Sequence, residues 1–215
     1  MSKKHSNEEF VTRAYVASFD VSEEESGVII GTPIVFNQRT HIADWFGEFD
    51  EIIAPSALEK TDMRDVRLFV NHDLDKIALA RSKNGNANST MSFTIEGDGV
   101  HMRAKLDVEN NADARALYSA IQRGDVDGMS FGFRVRGEEW SDIDSEVPTR
   151  TITDISILHE VSVVNYPAYP QTSVATRSGE PYSPLKEIRG RAEEAARLER
   201  ERLKTANIIR IYKGA

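Results

Sequence analysis

The sequence contains no cysteine. Disulfides, thiolate metal sites and a cysteine nucleophile are thereby excluded together, and a reducing compartment is compatible with this. Long apolar runs are also missing, and no stretch approaches the roughly 20 residues that a membrane helix needs. The opening residues, Met1-Ser2-Lys3-Lys4-His5-Ser6-Asn7-Glu8-Glu9, have no apolar run behind their lysines. No signal peptide is expected there, and the chain is expected to stay in the cytoplasm of the cell that makes it. Without a secretory route, the sequon Asn88-Ser89-Thr90 carries no weight. Positive charge is in deficit: the net charge is −8 and the pI about 5.2, which argues against a general affinity for nucleic acid or anionic membranes. The chain also lacks a phosphate-binding glycine loop and a dinucleotide fingerprint, and Gly128-Met129-Ser130-Phe131-Gly132 is not read as a nucleophile elbow because it precedes a strand rather than a helix.

What is present is the composition of a soluble globular protein, with 40% hydrophobic and 29% charged residues in 215. Arg13–Phe19 and Gly27–Phe36 have the β-branched and aromatic content of strands, with Gly31 as a bulge or close-approach point. Ala54–Lys60 reads as a short helix with Pro55 near its start. Val66–Val70 reads as a strand running into Asn71-His72-Asp73. Asn84-Gly85 is placed to turn a hairpin between Ile77–Arg81 and Met91–Ile95. Gly97-Asp98-Gly99 precedes the alternating strand Val100–Leu106. Asn111–Ile121 is the clearest helix, capped by Asn111 and stopped at Arg123-Gly124. Strands are expected over Met129–Arg136, Thr149–Leu158 and Glu160–Val164. This order predicts an α+β, mainly β fold: a closed or nearly closed β-barrel with surrounding helices. Composition changes near Thr176. A Gly/Pro linker, Ser178–Pro184, leads into the Arg/Glu/Ala-rich segment Leu185–Ala206, a charged helix with a thin apolar stripe. The expected division is a body over 1–175 and a linker with helical tail over 176–215.

Three polar positions stand out against this background. Ser130 lies between apolar neighbours in Gly128-Met129-Ser130-Phe131-Gly132, where the glycines allow another backbone to approach closely. His72 ends an apolar strand, and histidine, with an unperturbed pKa of about 6.5, is the side chain suited to general-base work at neutral pH. His159 and Glu160 are adjacent ionisable residues inside the apolar run Ile155–Val164. Buried charge needs a partner, and alternation along a strand turns only one of the two toward any single site. Each position alone is also what an ordinary strand or turn residue would look like. His41, Asp44, Glu48 and Asp50 sit in a polar, loop-like stretch without a defined metal-ligand spacing, so no metal is expected. Asp125 and Asp127 read as turn residues.

Taken together, three blocks resemble the prohead protease family of tailed bacteriophages, from about Arg13 to Thr172. They are Asn71-His72-Asp73 followed by Lys76–Arg81; the helix Ala112–Arg123 leading into Gly128–Phe133; and Leu158-His159-Glu160-Val161-Ser162-Val163-Val164-Asn165-Tyr166-Pro167-Ala168. The family is distantly similar to the herpesvirus assemblins, which use a serine with two histidines on a β-barrel wrapped by helices. Ala54–Leu58 departs from the Pro-Gly-Ala-Phe pattern of the family. In the assemblins the third member opens a strand of the form His-Val-Ala-Leu, and Glu160-Val161-Ser162-Val163 stands in that place here. The resemblance therefore implies a serine endopeptidase with Ser130 as nucleophile, His72 as base and Glu160, rather than His159, as orienter.

The resemblance further implies backbone oxyanion donors, for which Asn165–Tyr169 is the candidate stretch, and no cofactor. Its implied substrates are the scaffold and capsid proteins of the prohead and the protease itself, cleaved within the immature capsid in the host cytoplasm. Self-association is compatible with it. The competing classes are a catalytically silent capsid-assembly protein on the same fold, which loss of the serine or histidine would have signalled, and a β-rich binding module whose polar positions are structural.

Overall fold

The longest strands among the described residues cover Gly128–Ser141 and Thr149–Val164, and the rest of the larger sheet is built on them. In the computed structural model the described residues are 9–16, 19–44, 47–83, 86–165, 190–191 and 193–202. In chain order the strands are β1 (Glu9–Val16), β2 (Phe19–Val21), β3 (Val28–Val35), β4 (Thr40–Asp44), β5 (Gly47–Ile53), β6 (Arg67–Val70), β7 (Ala80–Arg81), β8 (Met91–Ile95), β9 (Gly99–Lys105), β10 (Gly128–Ser141) and β11 (Thr149–Val164). One helix, α1 (Ala112–Gln122), separates β9 from β10, and a short 3-10 turn, Pro55–Leu58, follows β5. Compactness divides the chain into Met1–Ile42 with Glu48–Val174 and, separately, Ala43–Gly47 with Ala175–Ala215. In the second unit residues 190–191 and 193–202 are helical and exposed.

The strands form two sheets. The larger runs β1-β10-β11-β5-β4, with β6 joined to β11 and β7 to β6, and the smaller runs β2-β3-β9-β8. β10 lies antiparallel to β1 on one side and to β11 on the other. The β10–β11 ladder shifts register repeatedly between Gly132 and Glu138. Such bulges bend a strand and increase its twist. The other side of β11 is shared accordingly: residues 149–152 pair in parallel with β5, and residues 160–163 in parallel with β6.

The mainly β, α+β class agrees with the sequence reading, but the closed or nearly closed barrel does not. Both sheets are open among the described residues: β1 finds a partner only in β10, and β2 only in β3. Because β11 divides its outer side between β5 and β6, the sheet branches instead of curling onto itself. Among the described residues of the body, the expected surrounding helices reduce to α1 and the 3-10 turn.

The hairpin over Ile77–Ile95 is corrected too. β7 pairs with β6 and β8 with β9, so the two strands belong to different sheets; Asn84-Gly85 itself lies outside the described residues. The stretch read as a polar loop around His41–Asp50 contains β4 and β5. Its charged side chains hid the strands because they pair with one another: His41 meets Asp50 at 3.1 Å and Glu48 at 3.7 Å.

One apolar core joins the sheets, drawing Ile29, Ile34 and Met102 from the smaller and Met129, Phe131 and Phe133 from the larger. Gly31 is the close-approach point: a Cβ there would come within 2.9 Å of Met129 Sδ. Helix α1 starts as expected, with Asn111 Oδ1 accepting from the N–H groups of Asp113 and Ala114. It buries Ala114, Leu117 and Ile121, one face at spacings of three and four.

A buried ion network ties four strands of the larger sheet together. Arg13 on β1 forms a bidentate pair with Glu51 on β5, at 2.5 and 2.7 Å. Arg150 on β11, 1% exposed, donates to Glu51 at 3.2 Å and to Glu138 on β10, which also accepts from Trp140 Nε1. Burial by itself would raise the pKa of Glu51, but the Arg13 and Arg150 guanidiniums outweigh it and hold the group below its ordinary value. Removing one member leaves uncompensated buried charge, which destabilises by about 3–5 kcal/mol. Glu51→Gln is therefore expected to lower the melting temperature by on the order of 10 °C. A change of only a degree or two, measured by calorimetry, would mean that water solvates the network.

Candidate active site

β10 carries Ser130 in the middle of the larger sheet, opposite Ala14 of β1 and Ser162 of β11. Two residues along, Gly132 stands opposite Glu160. Since side chains alternate across a strand, Ser130 and Gly132 share a face of β10, and Ser162 and Glu160 share a face of β11. The absence of a side chain at Gly132 is required there. A Cβ would lie 2.6 Å from Glu160 Oε1 and 3.0 Å from the Phe10 ring, so any larger residue would displace the carboxylate.

His72 reaches this face from the turn after β6. β6 runs parallel to β11 up to the pair Val70–Val163, so its end lies beside the end of β11. Asp73 N–H then donates to the Val70 carbonyl, closing a four-residue turn. Both central residues, Asn71 and His72, have positive φ, at 51° and 57°. This is the pattern of a primed turn, which favours glycine or asparagine. A histidine in the left-handed region costs roughly 1–2 kcal/mol, and strain of this kind concentrates at functional sites.

These elements bring Ser130, His72, Glu160 and Ser162 into one chain of hydrogen bonds. His72 Nε2 lies 2.6 Å from Ser130 Oγ, and His72 Nδ1 lies 2.8 Å from Glu160 Oε1. Ser162 Oγ donates to Glu160 Oε2 at 2.6 Å. Because Glu160 accepts at Nδ1, that nitrogen carries the proton and Nε2 is left as an acceptor for the Ser130 hydroxyl. Ser130 Oγ also lies 2.9 Å from the Arg13 carbonyl oxygen, a second acceptor for the same single proton. Ser130, Glu160 and Ser162 are buried, while the His72 side chain is 30% exposed. The order of groups is suited to moving a proton from a hydroxyl to an imidazole backed by a fixed carboxylate.

His159 is elsewhere. The register passes from Gly132–Glu160 to Phe133–Leu158, which leaves His159 as the extra residue of a bulge. Strand alternation is broken at this point, so the bulge, and not simple divergence of neighbours, determines where the two side chains lie. The His159 ring packs on Phe10, with centroids 5.5 Å apart, and its buried Nε2 has no hydrogen-bond partner. Burial, with Arg134 adding repulsion, pushes its pKa below the ordinary histidine value.

Two groups in the site escaped the sequence reading. Ser162 could have been found from its position two residues after Glu160, on the same face of the strand. The Arg13 carbonyl had no signal, since backbone atoms become specific only through register. Of the oxyanion candidates, Asn165 donates its N–H to Asn71 Oδ1 at 3.1 Å; residues 166–169 lie outside the described residues. Among the described residues, the acidic and histidine side chains grouped closely enough to hold a metal are Glu96, Asp98 and His101, all away from this site and none singled out by sequence.

The family profile described as caudovirus prohead serine protease matches residues 4–184. The prohead protease of Enterobacteria phage HK97 is 29% identical over 168 residues, covering 74% of this chain and 66% of that protein. The match thus spans just under two thirds of the relative's own length. No solved structure matches the chain.

The position of His159 has a consequence for acid stability. Unfolding would restore its ordinary affinity for protons, so the unfolded chain protonates first as pH falls. Its contribution to stability is complete above about pH 6.5 and is lost as pH drops from there through the lowered folded value. His159→Phe is expected to melt progressively higher, relative to wild type, between about pH 7 and pH 5.5. A difference in melting temperature that is constant across that range would show that His159 does not couple folding to protons.

Proposed function

The chain belongs to the caudovirus prohead serine protease family, and on that premise we propose that it is a serine endopeptidase in which Ser130 is the nucleophile, His72 the general base and Glu160 the orienter. The observation that carries this reading is the hydrogen-bonded sequence Ser130–His72–Glu160, at 2.6 and 2.8 Å.

In the proposed reaction His72 Nε2 takes the Ser130 proton as Oγ bonds to the scissile carbonyl carbon. The imidazolium is stabilised by Glu160, whose other oxygen is held by Ser162. His72 then returns the proton to the leaving nitrogen, the C–N bond breaks, and the acyl-enzyme remains. Water, deprotonated by His72, attacks the ester and restores the Ser130 hydroxyl. Backbone N–H groups would stabilise the oxyanion. No step calls for a cofactor or a metal.

The substrates we infer are the scaffold and major capsid proteins of the prohead, with the protease itself as a further one. The setting is the interior of the immature capsid in the host cell. Residues 1–175 would then be the protease domain, and 176–215 a linker and helical tail that docks on scaffold or is processed. The support for a separate tail is the Gly/Pro linker composition together with the exposure of the helical residues 190–191 and 193–202.

Two experiments test the reading. Ser130→Ala should keep the fold and lower turnover of capsid or scaffold protein by about a million-fold. Glu160→Gln should lose at least about a hundred-fold, with about 10⁴-fold as the upper range for an orienter, while His159→Phe stays mild. Undiminished cleavage by Ser130→Ala would dismiss the nucleophile, and a dead His159→Phe beside a near-normal Glu160→Gln would transfer the third role. For the tail, a chain ending near Thr176 should melt like the full-length protein but bind scaffold less. A large drop in melting temperature would instead make the tail part of the core.

A further inference from the structure

We propose that Asn71 is a positioning residue that holds the His72 imidazole between Ser130 and Glu160; this rests on the catalytic reading above. A base that follows a short strand needs its backbone direction fixed. β6 has only four residues and gives His72 no ladder partner of its own, since the pairing with β11 ends at Val70–Val163. What continues the attachment is Asn71. Its N–H donates to the Val163 carbonyl at 2.9 Å, and its Oδ1 accepts from the Asn165 N–H at 3.1 Å. One residue therefore grips the chain on both sides of Val164, at the end of the strand that carries Glu160 and Ser162.

The backbone requires that residue to be an asparagine or something close to it. The turn 70–73 needs positive φ at both central positions, 51° at residue 71 and 57° at residue 72. The second position has to be histidine if the base is to exist, so the glycine that would relieve the turn is not available there. Asparagine is the side chain that best tolerates the left-handed region at the first position. Its amide oxygen also supplies the clamp. His72 is thus held in an unfavourable backbone conformation by a neighbour bonded to the same strand as its orienter, which sets the imidazole relative to Glu160.

The test uses the full-length chain with Asn71→Ala, Asn71→Gly and Asn71→Asp. Alanine loses both the tolerance for positive φ and the acceptor. Glycine keeps the first and loses the second, and aspartate keeps both. Three quantities are read: thermal melting, the low-field proton NMR resonance of the His72 Nδ1–H shared with Glu160 (assigned by its loss in Glu160→Gln), and the second-order rate at which a fluorophosphonate labels Ser130. Asn71→Ala is expected to lose the resonance and to label about a hundred-fold more slowly, as a displacement of the base by about an ångström would produce. Asn71→Asp should recover the resonance and most of the rate, with Asn71→Gly between the two. An alanine variant that keeps the resonance and labels within about threefold of wild type overturns the proposal, because a displaced base could not do so. If alanine fails to fold, the aspartate and glycine variants decide: aspartate above glycine supports the clamp, and equal values overturn it. Should wild type fail to label at Ser130, the catalytic reading falls. The resonance across the four proteins would still report whether Asn71 places His72 on Glu160.

Discussion

The register of β10 against β11 is the constraint on which the site depends. With Ser130 opposite Ser162 and Gly132 opposite Glu160, a serine and a carboxylate stand on one face of the sheet at neighbouring rungs. The gap over Gly132 is filled by the carboxylate itself. A slip of one residue would move the whole set to the apolar face with Met129 and Phe131. The register is therefore secured by the core on the other side of the sheet, where Met129, Phe131, Phe133, Val161 and Val163 are fully buried. Burying Glu160 and Ser162 is unfavourable unless their hydrogen bonds are made. Here each oxygen of the carboxylate has a partner, one in His72 and the other in Ser162. The polar chain is thus self-satisfying, and it makes one imidazole position better than the others.

A second polar assembly steadies the same sheet from further along. Arg13 belongs to it through its side chain and to the site through its carbonyl, which lies 2.9 Å from Ser130 Oγ. Strand β1 is held at one residue by the ladder to β10 and by the Glu51 pair. This fixes the competing acceptor next to the Ser130 hydroxyl. Whether the serine proton rests on the Arg13 carbonyl or on His72 Nε2 depends on which acceptor is available, so β1 takes part in the resting state of the hydroxyl.

Much of this was legible in the sequence where local chemistry and tertiary structure agree. The Asn111 cap and the stop at Gly124 bracket α1, and the Gly97-Asp98-Gly99 turn joins β8 to β9. Ser130, His72 and Glu160 were each visible as polar residues in apolar surroundings. Only the family resemblance linked them, because 58 and 88 residues of chain separate His72 from its two partners. What stayed hidden depends on non-local pairing. β4 and β5 look like loop because their polar side chains pair across strands, not along them. The bulge at His159 cannot be read from a strand pattern that assumes unbroken alternation. The barrel expectation failed for the same reason: strand content was right, but the division of β11 between β5 and β6 is a property of register.

The central claim is that Ser130 is made reactive by His72. It is tested most directly by peptide-mapped mass spectrometry after reaction with a fluorophosphonate. The account predicts a single adduct on the peptide carrying Ser130 in wild type, and its near-complete loss in a folded His72→Ala variant. Equal labelling of Ser130 in both proteins, or an adduct on another residue with Ser130 untouched, would contradict it.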